Sequence, residues 1–392
     1  MILVSVIGDY FSSVAPIFYQ LKDEIKTHII ISDKSERSKK KAHKFKKGVD
    51  GFCDKYNLDI RNTLYTIDEH SFSSIDKAIR FIFDLADKDI FINTTDGLSF
   101  INTYMSLKTL PLGAKIVSYD IFDNVYSIVD MGGIKKEKIT DSVPIKDHFL
   151  LKGIEVLESK SEVIPNRHPE KIKLLFTKLF RDYIDFKRAY VLSANKFDFL
   201  FNNEKFKDVK RILKEIGLLD KFNKVENFNQ VILGDPLEYY VYILAKELGF
   251  DDVRVGLRIE NEGVENEFDV LLMKDNHLHV IECKNRRPTS WRNQYGVNLE
   301  SLLFKYATLK SIIDDEGRGA VVITGRLSDI RYETIKRGSI HNITFMSTNR
   351  YLKDNMKRFF LEGVNDIYQG EFKKSFFKKR NTFTRKGNRE PI

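Results

Sequence analysis

Over the first 130 residues, short runs rich in β-branched residues alternate with stretches whose apolar positions recur at helical spacing. That alternation is the pattern of a parallel sheet wrapped by helices, and it leaves little room for any other architecture. It places strands at Ile2-Ile7, His28-Ser32, Leu64-Ile67, Asp89-Asn93 and Ala114-Tyr119. Amphipathic stretches lie near 14–26, 35–50, 73–87 and 97–109, and in the last of these Phe100, Ile101, Met105 and Leu107 can face the sheet. Open sheets of this kind bind ligands beyond the carboxyl ends of their strands, where helix N-termini and loop amides gather. Two such edges are equipped for it: Asp9, Tyr10, Ser12 and Ser13 after the first strand, and Asn93, Thr94, Thr95, Asp96 and Gly97 after the fourth. Neither is a G-x-G-x-x-G fingerprint, which argues against a dinucleotide cofactor. Small hydroxyl residues there can donate to phosphate, ribose or base, and Asp96, Ser12 or Ser13 can equally cap helices.

Between Lys34 and Lys47 runs the densest basic segment, with Ala42, Phe45 and Val49 at helical spacing, so one face docks while the charges stay solvated. Residues 150–234 read as helices joined by turns. The next stretch carries chemistry. Asp235-Pro236-Leu237-Glu238 reads as a helix start, with Asp235 as N-cap, proline in the first turn and Glu238 three residues after the cap. Leu237, Val241, Leu244 and Leu248 form the buried stripe of that helix, and Glu238 lies beside it.

Two strands follow, Phe268-Met273 and Leu278-Lys284, around Asp275-Asn276, a two-residue hairpin turn. Pairing Lys274 with His277 sets Met273 opposite Leu278, Leu271 opposite Val280, and Asp269 opposite Glu282. Alternation puts Lys284 on the face of Glu282 and turns Cys283 into the core. Opposed like charges at the end of an apolar face are destabilising unless something positive lies between them. A hard divalent cation, Mg2+ or Mn2+, fits a ligand set of Glu238, Asp269, Glu282 and the Cys283 carbonyl. It would acidify a water for attack on a phosphodiester, with Lys284 beside that water. The alternative is a solvated strand end in which Lys284 pairs with Glu282 or Glu267.

Glu238, Asp269 and Glu282-Cys283-Lys284 resemble the PD-(D/E)xK nuclease core, ordered helix, three antiparallel strands, helix, strand. Val253-Ile259 fits the first strand, Trp291 to Asp314 the second helix and Ala320-Thr324 the last strand, while Phe268-Asp269 stands where the family has Pro-Asp. The N-terminal half resembles the CRISPR-associated Rossmann-fold domain. Together the halves resemble the cyclic-oligoadenylate-activated nucleases of type III CRISPR systems. The resemblance implies a homodimer binding cyclic tetra-adenylate through the loops named above, and metal-dependent cleavage of DNA and/or RNA by Glu238, Asp269, Glu282 and Lys284. It implies a sensor domain over 1–150, a helical linker over 151–230, a restriction-endonuclease-like αβββαβ nuclease domain over 231–370 and a basic tail over 371–392. A constitutive restriction or repair nuclease, or a ligand-gated nucleic-acid-binding regulator, would share parts of this layout.

Charge agrees with a polyanionic partner for the second half. Residues 1–150 balance 21 Lys+Arg against 21 Asp+Glu, so the net charge of +9 lies wholly beyond them. Residues 371–392 alone carry 8 basic and 2 acidic residues, a composition that also serves a solubilising end. Two cysteines, Cys53 and Cys283, exclude a disulfide framework and point to a reducing cytoplasm. No apolar run reaches the roughly 18 to 20 residues that cross a bilayer, and Met1-Ile7 is too short for a signal-peptide core.

Overall fold

The computed structural model describes residues 1–8, 14–85, 89–160, 162–177, 204, 207–218, 234–284, 299–309, 317–324, 327, 330–365 and 367. The chain forms two compact units: Met1–Glu158 with Arg258–Asn266, and Ser159–Leu257 with Glu267–Ile392. The loop residues Asp9, Tyr10, Ser12 and Ser13, the segment around Trp291 and the basic tail lie outside the described residues.

In the first unit, β1 (Ile2–Val6), β2 (Thr27–Asp33), β3 (Arg61–Ile67), β4 (Ile90–Asn93) and β5 (Lys115–Asp120) are parallel. β6 (Val125–Asp130) and β7 (Gly133–Lys138) then add antiparallel strands, giving the order β3-β2-β1-β4-β5-β6-β7. The five expected strands are present, and the sheet is Rossmann-like. β1 is buried on both faces because helices cover each side, which is why it reads as an unbroken apolar run. Leu3 and Ile7 pack with Phe18, Phe45 and Phe52, while Ile2, Val4 and Val6 pack with Ile75, Ile79, Ile101 and Met105. The basic run forms the start of the helix Glu36–Tyr56, capped by the Ser35 side chain on the Ser38 amide, with Ala42, Phe45 and Val49 buried as the spacing required. β7 escaped the sequence pattern because Gly-Ile-Lys-Lys-Glu-Lys at an exposed sheet edge reads as a charge run.

The second sheet has the order β13-β12-β11-β10-β9-β8. β8 (Glu155–Ser159) is an edge, and β9 (Asp252–Asn261), β10 (Val264–Lys274) and β11 (His277–Lys284) follow as a meander. β12 (Gly319–Ile323) and β13 (Ile343–Ser347) run parallel to β11. The helix Asp235–Leu248 precedes the meander and Leu299–Leu309 precedes β12, so the αβββαβ order is present, extended by the helix Tyr332–Ile340 and β13. Asp275 and Asn276 both take positive φ, 49° and 63°, as a tight hairpin turn demands. The expected register follows: Lys274 pairs His277, Met273 pairs Leu278 and Leu271 pairs Val280. Described helical residues from the 151–230 stretch, Ile172, Leu175, Phe176, Val209, Ile212 and Leu213, share one core with Leu237, Val241 and Leu244. Among the described residues, no helix is long and apolar enough to cross a membrane.

His28 is wholly buried in the first unit, its ring stacked 5.1 Å from Phe18 and its Nε2 3.0 Å from Ser5 Oγ. Burial depresses its pKa from 6.5 to about 3. The unfolded chain therefore takes up a proton below pH 6.5 that the folded chain refuses, so stability falls as pH drops from 6.5 toward 3, by about 1.4 kcal/mol per unit. Urea unfolding across that range should show this slope in the wild type, and His28→Phe should flatten it.

Candidate functional site

The β10–β11 ladder extends to Val270 opposite Ile281, and beyond it the strands exchange backbone pairing for a side-chain contact. Asp269 Oδ2 accepts the Cys283 amide at 2.7 Å and stands 3.4 Å from Lys284 Nζ. Lys284 also pairs with Glu282 Oε1, and Glu282 Oε2 accepts the hydroxyl of Tyr306 at 2.7 Å. Tyr306 comes from the helix Leu299–Leu309 and is itself buried. Asp269, Glu282 and Lys284 thus form one contact cluster, while Cys283 turns its side chain into the apolar core.

Glu238 is held from a different side. Gly234, not Asp235, is the N-cap of its helix, and no side chain caps it; Asp235 is already the first helical residue, because its carboxylate is drawn toward a lysine. That lysine is Lys160, whose Nζ lies 2.7 Å from Glu238 Oε2, 3.2 Å from Asp235 Oδ1 and 3.5 Å from Glu267 Oε1. Spacing could not reveal Lys160, which follows β8, a strand the sequence pattern did not mark. Tyr306 was equally hidden, since one aromatic on an amphipathic helix reads as core.

Burial, then the charge of Asp269, pushes the Glu238 carboxyl up to about 8 against the pull of Lys160. Burial, then Glu282, pushes Asp269 up to about 6. Burial opposes the charge on Lys160 and on Lys284, yet the surrounding carboxylates outweigh it and both ammonium groups are raised. Among the described residues, the five carboxylates of Asp235, Glu238, Glu267, Asp269 and Glu282 pair with these two cations. Asp235 Oδ1 is buried and accepts no hydrogen bond. An oxygen-only donor set with surplus negative charge suits a hard divalent cation. Among the described residues, however, no three His, Cys, Asp or Glu side chains converge closely enough to hold a metal as they stand.

The strand order of the first unit reverses between β1 and β4, and the crevice beyond their carboxyl ends is the usual ligand edge of such sheets. Asp96 Oδ2 accepts the Gly8 amide at 2.8 Å, tying the two loops together. A Cβ at Gly8 would fall 2.6 Å from the Gly97 nitrogen, so only glycine fits there. Thr95 Oγ1 donates to Asn93 Oδ1 at 2.6 Å and accepts the Tyr119 amide at 2.9 Å, and Thr94 Oγ1 donates to the Val117 carbonyl at 3.3 Å. The helix that follows is capped by Leu98 without a side-chain bond, so Asp96 is a cross-link between loops and not a helix cap.

Residues 225–341 match the family described as Card1-like, endonuclease domain. This stretch resembles an endonuclease domain and contains Glu238, Asp269, Glu282 and Lys284. In fold, the chain is similar to protein VC1899 from Vibrio cholerae, with a TM-score of 0.67 at 16% identity over 90% of this chain and 95% of that one. It is likewise similar to Can2 from Sulfobacillus thermosulfidooxidans, solved with cyclic tetra-adenylate, with a TM-score of 0.63 at 15% identity over 90% and 97%. A type III CRISPR defence DNA nuclease activated by cyclic oligoadenylate matches with a TM-score of 0.50 at 14% identity, over 83% of this chain and 46% of that one. No curated protein matches in sequence.

Within the endonuclease domain, Tyr306 supplies a buried donor to a buried carboxylate. Tyr306→Phe should lower unfolding free energy by about 1–3 kcal/mol, the range for a hydrogen bond to a charged group, with the fold retained in circular dichroism. A loss confined to a few tenths of a kcal/mol in urea titration would mean that the hydroxyl does not hold Glu282.

Proposed function

We propose that this chain is a metal-dependent nuclease of type III CRISPR antiviral defence, cleaving DNA and/or RNA when cyclic oligoadenylate binds its first unit. The observation that carries the reading is the cluster of Asp269, Glu282 and Lys284 inside a Card1-like endonuclease domain. The fold likeness to Can2 and to the CRISPR defence nuclease supports the sensor half.

Asp269, Glu282, Glu238 and the Cys283 carbonyl would hold Mn2+ or Mg2+, which when bound polarises a phosphodiester oxygen and acidifies a water. Lys284, already raised and charged, lies beside both carboxylates, where it can orient the attacking water and offset charge that grows on the phosphoryl oxygens. Tyr306 keeps Glu282 in one orientation through the oxygen that Lys284 leaves open.

The effector belongs at the switch point between β1 and β4, with Asn93 to Gly97 beside it, and Asp9, Tyr10, Ser12 and Ser13, which lie outside the described residues, are its further proposed contacts. A two-fold dimer through the first unit would present each loop twice to one cyclic tetranucleotide. Ligand shifts the enzyme toward its active arrangement by its differential affinity for that arrangement.

Purified protein should cleave plasmid or labelled RNA only with Mn2+ or Mg2+ and a cyclic oligoadenylate, and scattering should give twice the 45.8 kDa chain mass. Glu282→Ala and Lys284→Ala should each abolish cleavage while leaving effector affinity intact. Wild-type cleavage rates in either variant overturn the site, and full cleavage without any cyclic nucleotide favours a constitutive nuclease. Asp96→Ala, which releases the Gly8 amide, should raise the effector concentration for half-maximal cleavage and leave the maximal rate near wild type. Equal effector affinity of variant and wild type by calorimetry would remove this loop from the sensor edge.

A further inference from the structure

Lys160 has no place in the nuclease constellation described so far, yet its ammonium is lodged in it. Its side chain is 18% exposed and that of Glu238 8%, with 2.7 Å between Nζ and Oε2. The seat is specific. The Lys160 amide donates to the Gly256 carbonyl at 3.0 Å, and Gly256 takes φ +57°, where an added Cβ would stand 2.3 Å from Lys160 Cγ. A glycine within β9 therefore clears the path of the lysine stem. Lys160 approaches Asp235 at 3.2 Å without satisfying its buried Oδ1, and it reaches Glu267, two residues from Asp269, at 3.5 Å.

We infer that Lys160 is a positioning residue that competes with a divalent metal for Glu238 and stands in for part of its charge. The observation that carries this is that Lys160 engages Glu238 at 2.7 Å, while Glu238 and Asp269 lie close enough to repel one another. Lys284 pairs with Asp269 and Glu282, as Lys160 pairs with Glu238. A metal that takes Glu238 together with Asp269 and Glu282 must draw Glu238 from Lys160 or share it. Removing the lysine charge removes both the competitor and a repulsion toward the incoming dication. The inference rests on the metal-dependent nuclease reading and adds to it the residue that sets the metal threshold.

The test is calorimetric titration of Mn2+ into the full-length protein, without nucleic acid or cyclic nucleotide. Lys160→Met should bind Mn2+ roughly tenfold more tightly than wild type, as expected for loss of one repelling charge at short range in a partly buried site. Lys160→Gln, whose amide can still donate to Glu238, should move in the same direction and serves if the methionine variant does not fold. Lys160→Arg, which keeps the charge, should return affinity to the wild-type value. Equal or weaker Mn2+ binding by both neutral variants overturns the inference. Glu282→Ala separates it from the reading beneath: loss of Mn2+ binding there with no gain in the neutral variants sinks the role of Lys160 alone. Unchanged Mn2+ binding in Glu282→Ala sinks the metal site and the role of Lys160 together.

Discussion

Lys284 between Asp269 and Glu282 is the contact on which the second unit turns. Two carboxylates at the end of a largely buried sheet are costly unless each finds a cation and donors. The chain supplies them with little slack. Asp269 takes the Cys283 amide that the hairpin ladder leaves open, Glu282 takes the buried Tyr306 hydroxyl, and Lys284 reaches both acids. The tight turn at Asp275 and Asn276 fixes this meeting from a distance, since a slip of one residue would send Glu282 into the core and Cys283 out to the acids.

The two units are joined by continuous chain at three points, after Glu158, after Leu257 and after Asn266. Each joint lies close in sequence to the acidic cluster. Lys160 follows the first by two residues, Gly256, which seats it, precedes the second, and Glu267 and Asp269 follow the third. Within the first unit, segment 258–266 is anchored to the basic helix, where Lys40 pairs with Glu262 at 3.1 Å and Lys44 donates to Asn261. That same helix sends Lys41 to the Gly8 carbonyl at the ligand edge, 3.5 Å away. β10 is one unbroken strand from Val264 to Lys274.

Most of this was legible in the sequence where one local rule governs. Buried strands of the first sheet announce themselves by unbroken apolar runs. The hairpin register follows from a turn whose residues tolerate positive φ and from strict alternation on either side. Residues whose roles arise only from tertiary contact were not legible. Lys160 and Tyr306 belong to no spacing pattern, and each gains its role from a carboxylate more than 20 residues away. Asp235 shows the limit from the other side: its type and position satisfy every rule for an N-cap, but a buried ammonium 3.2 Å away attracts the carboxylate more strongly than the helix amides do.

The ligand edge teaches a related lesson about hydroxyl-rich loops. Asn93, Thr94, Thr95 and Asp96 look like a row of donors and acceptors waiting for a nucleotide, yet their described side-chain bonds run to the loop and its neighbouring strands. Thr95 both donates and accepts within the protein, and Asp96 spends an oxygen on the Gly8 amide. Their contribution is to hold the ends of β1, β4 and β5 in a fixed relation. Preorganised amides recognise a phosphate ring by shape and partial charge. The ends of β1 and β4 are thus tied through Asp96 and the Gly8 amide, and glycine at position 8 is what lets them come close enough to be tied.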